Sequence, residues 1–222
     1  MEVLNLGSHR IGVRLPEKGL RKGKNPAILL NDGELIEQLD LRTERAVLVG
    51  VYPNNRLSEY TPWPEPAIRP GAPDFGGQLG QYHQELTNEI LPIIIDEYAL
   101  DSEKLAYGGF SLGGLAAVMS LWETEVFASV FSLCGSFWYP EVANYIEEHP
   151  LLNSSARVYL QNGKQEGEGH NNRLSEATAY AQRVHTALRT TCRAETILDE
   201  YGHHGRQAER FCAALRWAEQ VR

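Results

Sequence analysis

The sequence predicts an α/β protein: one open, mainly parallel β-sheet with helices packed on both faces. Three observations point to it. Short apolar runs alternate along the chain with longer segments of helical period, the pattern of parallel strands joined by right-handed helical crossovers. The runs "PAILLN" and "AVLVGVY" lack the polar alternation of a half-exposed strand, so each is expected to be covered on both faces. A chain of 222 residues suits a single domain with no separate lid, spanning residues 1–222, and a domain of that size buries about 70% of its unfolded surface without disulfide staples.

Taken in order, residues 10–16 ("RIGVRLP") alternate and read as an edge strand. Residues 26–31 and 46–52 are buried strands, with one short helix, "DGELIEQLD", between them. A proline-rich loop follows over residues 53–77, long enough to be functional rather than a plain connection. Residues 81–100 read as a helix with Leu86, Ile90, Ile93 and Ile94 near one face, interrupted at Pro92. The strand "KLAYGGF" leads into the helix "LGGLAAVMSLW". Residues 129–136 and 157–163 are two further buried strands; residues 173–189 form an amphipathic helix. Residues 195–201 are the last strand and residues 206–220 the last helix.

The composition excludes several classes. The formal net charge is −8 and the longest basic cluster is "RKGK" at residues 21–24, so no basic face for nucleic acid is expected. Three widely spaced cysteines, Cys134, Cys192 and Cys212, form no C-x-x-C pattern, which argues against a disulfide framework or a zinc site. No run approaches a membrane span and the first residues show no leader-like apolar segment, so a cytoplasmic protein with no membrane contact is expected.

The chemistry centres on "GGFSLGG". Ser111 lies between a strand and a helix, with Gly109 and Gly113 two positions to either side. That is the setting of a G-x-S-x-G nucleophile elbow, where small neighbours let strand and helix pass and the hydroxyl stands above the sheet. The helix N-terminus behind it offers unpaired N–H groups to an oxyanion. A bare serine needs a base, and in this fold class the order is serine, acid, histidine. Of seven histidines, His9 and His83 precede Ser111; His149 and His185 lie in helical stretches and read as solvated; His170 lies in a polar loop. His203 and His204, just after the last strand in "DEYGHHG", are the candidates for the base, with His203 favoured and His204 its neighbour or a substrate contact. The acid is expected in "KQEGEGHNN" after residue 163, where Glu166 is favoured over Glu168, and Asp199 and Glu200 come behind. A second oxyanion donor is expected after the strand 26–31, in Asn31, Asp32 and Gly33, although Asp32 also reads as a plain helix cap.

With these residues in view, the chain resembles the Putative esterase family of α/β-hydrolases, which includes esterase D and the enterobactin (siderophore) esterases. The resemblance covers residues 26–217 through "LLNDGE", "RLSEYTPW", the stretch around "GGFSLGGLAA", "CGSFW", "NGKQEGE" and "EYGHHG". It implies an α/β-hydrolase fold and a serine carboxylic-ester hydrolase acting on a small-molecule ester, with no metal or cofactor. It further implies Ser111 as nucleophile, Glu166 as acid, His203 as base, and an oxyanion hole near Asp32 and Gly33 with the amide of Leu112. Arg56 and Glu59 match a structural ion pair, and Trp138 matches a pocket residue. Tyr201 stands where siderophore esterases carry the first of two glycines before the histidine. An acyltransferase or thioesterase on the same machinery, and a hydrolase fold kept only for binding, are the alternatives. The loop 53–77 is expected to form one pocket wall, anchored by Tyr60 and Trp63 and suited to an apolar or aromatic group.

Overall fold

The computed structural model describes residues 1–220. Eight strands form one sheet in the order β1 (Glu2–Leu6), β2 (His9–Arg14), β4 (Val47–Tyr52), β3 (Asn25–Asn31), β7 (Leu100–Phe110), β8 (Ser129–Leu133), β9 (Arg157–Gly163) and β10 (Arg193–Asp199). β1–β2 and β2–β4 pair antiparallel, and every pair from β4–β3 to β9–β10 is parallel. This is the expected mainly parallel sheet of an α/β-hydrolase fold.

The apolar runs are continuous because each strand feeds two cores. Ala27, Leu29, Val47, Val49 and Val51 pack to one side, with the helices α3 (Leu79–Glu85), α4 (Leu91–Glu97), α5 (Leu112–Met119), α6 (Val142–Glu148) and α7 (Ala177–Thr191). Ile28, Leu30, Ala46 and Leu48 pack to the other, against α1 (Leu35–Gln38) and α8 (Gln207–Ala218). Each buried Leu, Ile or Val contributes about 1.5–3 kcal/mol of transfer free energy, so a strand with both faces covered is favoured well beyond its intrinsic propensity.

The sequence reading departs from the structure in several places, and α6 has no counterpart in it. The edge strand is β1, which pairs outside β2; its side chains are largely exposed and leave little hydrophobic pattern. Residues 81–100 are not one helix: a π-helical turn, Leu86–Ile90, joins α3 to α4 and brings Pro92 into the first turn of α4, where a missing N–H costs least. Strand β8 stops at Leu133, because Cys134 turns the chain with φ +51°. The loop 53–77 carries the short helix α2 (Arg56–Glu59) and a two-residue hairpin, β5 (Pro64–Glu65) with β6 (Phe75–Gly76). Tyr60 is fully buried beneath this loop, and Trp63 Nε1 donates to the Pro140 carbonyl at 3.1 Å. Among the described residues no helix is long and apolar enough to cross a membrane.

Candidate active site

β7 ends at Phe110 and α5 begins at Leu112, so one residue makes the whole turn. That residue, Ser111, sits at φ +60° and ψ −121°, a strained conformation for any side chain with a Cβ. Neighbouring structure holds it there: Ser111 N–H donates to Leu133 O at 2.9 Å, and its own carbonyl accepts from Leu115 N at 2.9 Å and Ser136 N at 3.1 Å. The close crossing explains the glycines. A Cβ on Gly109 would lie 2.6 Å from the backbone carbonyl of Gly113. Asn31, at the end of β3, donates from Nδ2 to that same Gly113 carbonyl at 2.8 Å, and its Oδ1 accepts from the buried hydroxyls of Tyr82 (2.6 Å) and Tyr107 (3.0 Å).

The topology brings the predicted histidine and acid to this corner. Ser111 Oγ lies 3.1 Å from His203 Nε2, and His203 Nδ1 lies 2.8 Å from Glu166 Oε2. A proton on Nδ1, donated to Glu166, leaves the Nε2 lone pair facing the serine hydroxyl. Glu166 Oε1 accepts from Gly163 N–H at 2.6 Å and from Asn162 Nδ2 at 3.2 Å. Burial pushes the Glu166 carboxyl up, but hydrogen bonds from His203, the Gly163 amide and Cys134 outweigh it and hold the group below the ordinary range. His204 bonds to neither group and packs edge-on against His203, 4.8 Å between ring centroids; burial, then the neighbouring His203, pushes its pKa down. Glu168 is exposed.

The histidine loop is clamped from α8. Arg210, 2% exposed, forms a fork with Asp199 (Nε–Oδ2 2.8 Å, Nη2–Oδ1 2.5 Å). Its Nη1 donates to the carbonyls of Gly202 (3.2 Å) and His203 (3.1 Å) and to Cys134 Sγ (2.8 Å). Asp199 therefore anchors the loop and is not the acid beside the imidazole. Among the described residues, Cys134, Glu166 and His203 place potential metal-ligand atoms within 4.8 Å of one another. The guanidinium on Sγ and the existing His203–Glu166 bond make that grouping a poor seat for a cation.

On the oxyanion side, the two residues named from the sequence have their polar groups engaged within the fold. Gly33 N–H is committed to Val51 O at 3.0 Å, as part of the β3–β4 edge, so it has no proton to offer a ligand. The Asp32 carboxylate, 4% exposed, is held by Arg56 in a bidentate pair (Nε–Oδ1 2.7 Å, Nη2–Oδ2 2.9 Å), and its N–H donates to Tyr60 Oη at 2.9 Å. Both Asp32 oxygens are thus occupied by Arg56, which ties this loop to the loop 53–77. Arg56 also donates to the carbonyl of Phe110, next to the serine, at 3.2 Å. Its partner is Asp32 and not Glu59, which instead accepts from Asn54 N–H at 3.0 Å and lies 3.4 Å from His9 Nε2. Among the described residues, the backbone N–H of Glu34, just after Gly33, and that of Leu112, at the start of α5, have no acceptor.

A cleft of about 300 Å³ opens beside Ser111, with Ile68, Trp138, Leu174 and Ala177 as apolar walls and His170 and His204 at its rim. Ile68 belongs to the loop 53–77, as expected of a pocket wall. A larger groove, about 440 Å³ between α4 and the start of β8, contains none of these residues.

The family model described as Putative esterase matches residues 7–216. The chain belongs to the Putative esterase family. This esterase is also 30% identical to the uncharacterized protein YbbA of Bacillus subtilis (strain 168), over 96% of its own length and 95% of the relative's. Its fold is similar to that of an IroE-like serine hydrolase from Shewanella oneidensis (TM-score 0.77, 18% identity, 94% of this chain and 75% of that one). It is similar to the BES protein from Bacillus cereus (TM-score 0.74, 18% identity, 96% and 91% covered). It is similar also to the siderophore hydrolase EstA from Aspergillus nidulans (TM-score 0.71, 16% identity, 96% and 91% covered).

Four residues packed around the Ser111–His203–Glu166 constellation were missed or misread in the sequence. Ser136 Oγ lies 3.2 Å from Ser111 Oγ, reached only because the chain turns at Cys134. Asn162 opens the stretch "NGKQEGE", but nothing in that stretch marks it out, and Arg210 lies outside every motif. His185 reads as solvated in the sequence but is 3% exposed, with Nε2 3.0 Å from Asn162 Oδ1. A helical signal for it exists: His185 follows Ala181 by four positions and precedes Leu188 by three, which places it on the apolar stripe.

Proposed function

We propose that this esterase is a serine carboxylic-ester hydrolase working through Ser111, His203 and Glu166 and an acyl-enzyme. The observation that carries the reading is the unbroken pair of hydrogen bonds, 3.1 Å from Ser111 Oγ to His203 Nε2 and 2.8 Å from His203 Nδ1 to Glu166 Oε2. Ser111 Oγ attacks the ester carbonyl as His203 takes its proton. The Glu166 carboxylate stabilises the imidazolium and fixes its tautomer. His203 then delivers the proton to the leaving alcohol, and water, deprotonated by the same imidazole, hydrolyses the acyl-serine. The amides of Leu112 and Glu34 bind the oxyanion, Glu34 taking the role that the committed Gly33 amide cannot fill. Each such donor is worth about 3–4 kcal/mol of barrier. No step calls on a metal or cofactor. The cleft suits a small-molecule ester with a compact apolar or aromatic group against Trp138, and His204 is a rim contact for it. The same reading treats residues 1–222 as one domain without a separate lid, in keeping with the single eight-stranded sheet; residues 221–222 lie outside the described residues.

The test is turnover of p-nitrophenyl acetate with and without Ser111→Ala, together with labelling by a fluorophosphonate. Turnover and labelling by the wild type alone are expected; equal turnover by both proteins removes the proposal. Product analysis with added alcohol or thiol separates hydrolysis from acyl transfer, since only the resolving nucleophile differs.

A further inference from the structure

Glu166 is supported from behind by two buried side chains that take no part in the proton relay. Asn162, 1% exposed at the end of β9, directs Nδ2 at Glu166 Oε1 (3.2 Å) and at the Gly135 carbonyl (3.5 Å). A carboxamide has two nearly isosteric ends, and only this orientation gives Glu166 a donor. Reversed, it would set an oxygen against the Glu166 carboxylate and a second carbonyl. The atom that reads the other end is His185 Nε2, 3.0 Å from Asn162 Oδ1. An N–H there is satisfied only while Oδ1 faces α7. Burial keeps this imidazole neutral, its pKa pushed down to about 4, with Arg189 adding to the effect, so it donates without bringing a second positive charge to compete for Glu166.

We propose that His185 is a positioning residue for catalysis: by donating to Asn162 Oδ1 it locks the carboxamide with its NH₂ toward Glu166, which holds the Glu166 carboxylate on His203. The inference rests on the assignment of Ser111, His203 and Glu166 as the triad. Its chain of contacts, His185–Asn162–Glu166–His203–Ser111, crosses from α7 through the ends of β9 and β7 and explains a buried imidazole that the relay itself leaves unused. Thr178, also on α7, holds the backbone of the same turn: the single proton of its hydroxyl is shared among the carbonyls of Gly163 (3.2 Å), Lys164 (3.2 Å) and Glu166 (3.1 Å). α7 thereby sets both the backbone and the side chain of the acid.

The experiment compares His185→Phe with His185→Gln, whose side-chain amide reaches the Nε2 position and keeps the donor. The Phe variant is expected to lose about tenfold in kcat, the worth of one hydrogen bond of ordinary strength, with KM unchanged. It should also lose the downfield proton NMR resonance of His203 Nδ1–H. The Gln variant is expected to recover most of both. Wild-type kcat and resonance in the Phe variant overturn the proposal, and so does an equal loss in the two variants, which would make the side chain a matter of volume alone. Should the Phe variant not fold, the near-isosteric Asn162→Asp sets a carboxylate against Glu166; loss of kcat and resonance supports the proposal, and wild-type values sink it. Ser111→Ala is the control: turnover by that variant removes the triad assignment, whereas an inactive Ser111→Ala beside a fully active Phe variant removes only the role of His185.

Discussion

Ser111 is held in its strained turn by three backbone hydrogen bonds, and its partners arrive from loops that are themselves clamped. Strain of this kind persists only where the surroundings over-determine it. At the residue scale the sharpest prediction concerns Glu166. Replacing it by Gln keeps the shape but removes the charge that stabilises the imidazolium and lets the wrong histidine tautomer form. kcat is expected to fall by about three to four orders of magnitude, by analogy with the amide replacement in serine proteases, with KM little changed; steady-state kinetics check it. His185 supplies a second prediction. Its native pKa, about 4, lies below the ordinary 6.5, so the unfolded chain takes up the proton first. Stability is full above pH 6.5 and is lost as pH falls from there toward 4, by about 3 kcal/mol in total. Urea unfolding at pH 7 and pH 4.5 should show a shallower loss in His185→Gln than in the wild type; parallel losses would contradict it.

At the scale of elements, close crossings decide what the chain tolerates. Gly109→Ala would place a methyl 2.6 Å from the Gly113 backbone, which is pinned by Asn31. Neither arm of the elbow can yield cheaply, so the variant is expected to lose about 1–3 kcal/mol and most of its activity, read by thermal melting and turnover. Gly163→Ala acts on a different arm. Its Cβ would lie 1.9 Å from the carbonyl of Tyr201, two residues before His203. Displacement of that loop should lower kcat more than stability. The elements themselves were legible to different degrees. β3 and β4 were plain because two cores demand unbroken apolar runs. β1 was not, since an exposed edge strand asks little of its side chains. Pro92 signals an interruption of the helix, but nothing local says that it takes the form of a π-turn at Leu86–Ile90.

At the scale of the whole molecule, Arg210 ties α8, β10, the histidine loop and Cys134 into one polar cluster. Burial alone disfavours its charge, but hydrogen bonds to Asp199 prevail and hold the guanidinium above its usual pKa. Removing one partner of a buried pair leaves the other uncompensated. Arg210→Leu is therefore expected to cost about 3–5 kcal/mol in urea unfolding and to release the His203 loop, so turnover falls with stability. An unchanged urea midpoint would show the cluster to be dispensable.

What the sequence by itself determined is the succession of strands and helices and the corner carrying Ser111. Both follow from short-range rules: hydrophobic period, and glycines spaced for a tight crossing. The sequence leaned to His203 over His204 and to Glu166 over Glu168, but only the tertiary structure sets His203 between Ser111 and Glu166 and pairs Arg56 with Asp32 instead of Glu59. The tertiary structure also engages the Gly33 amide with the Val51 carbonyl and buries His185 against Asn162. These choices turn on which polar groups meet in a buried space between segments far apart in the chain, 92 positions in the case of Ser111 and His203. Each buried donor or acceptor must find a partner there, and no local pattern records which one it finds.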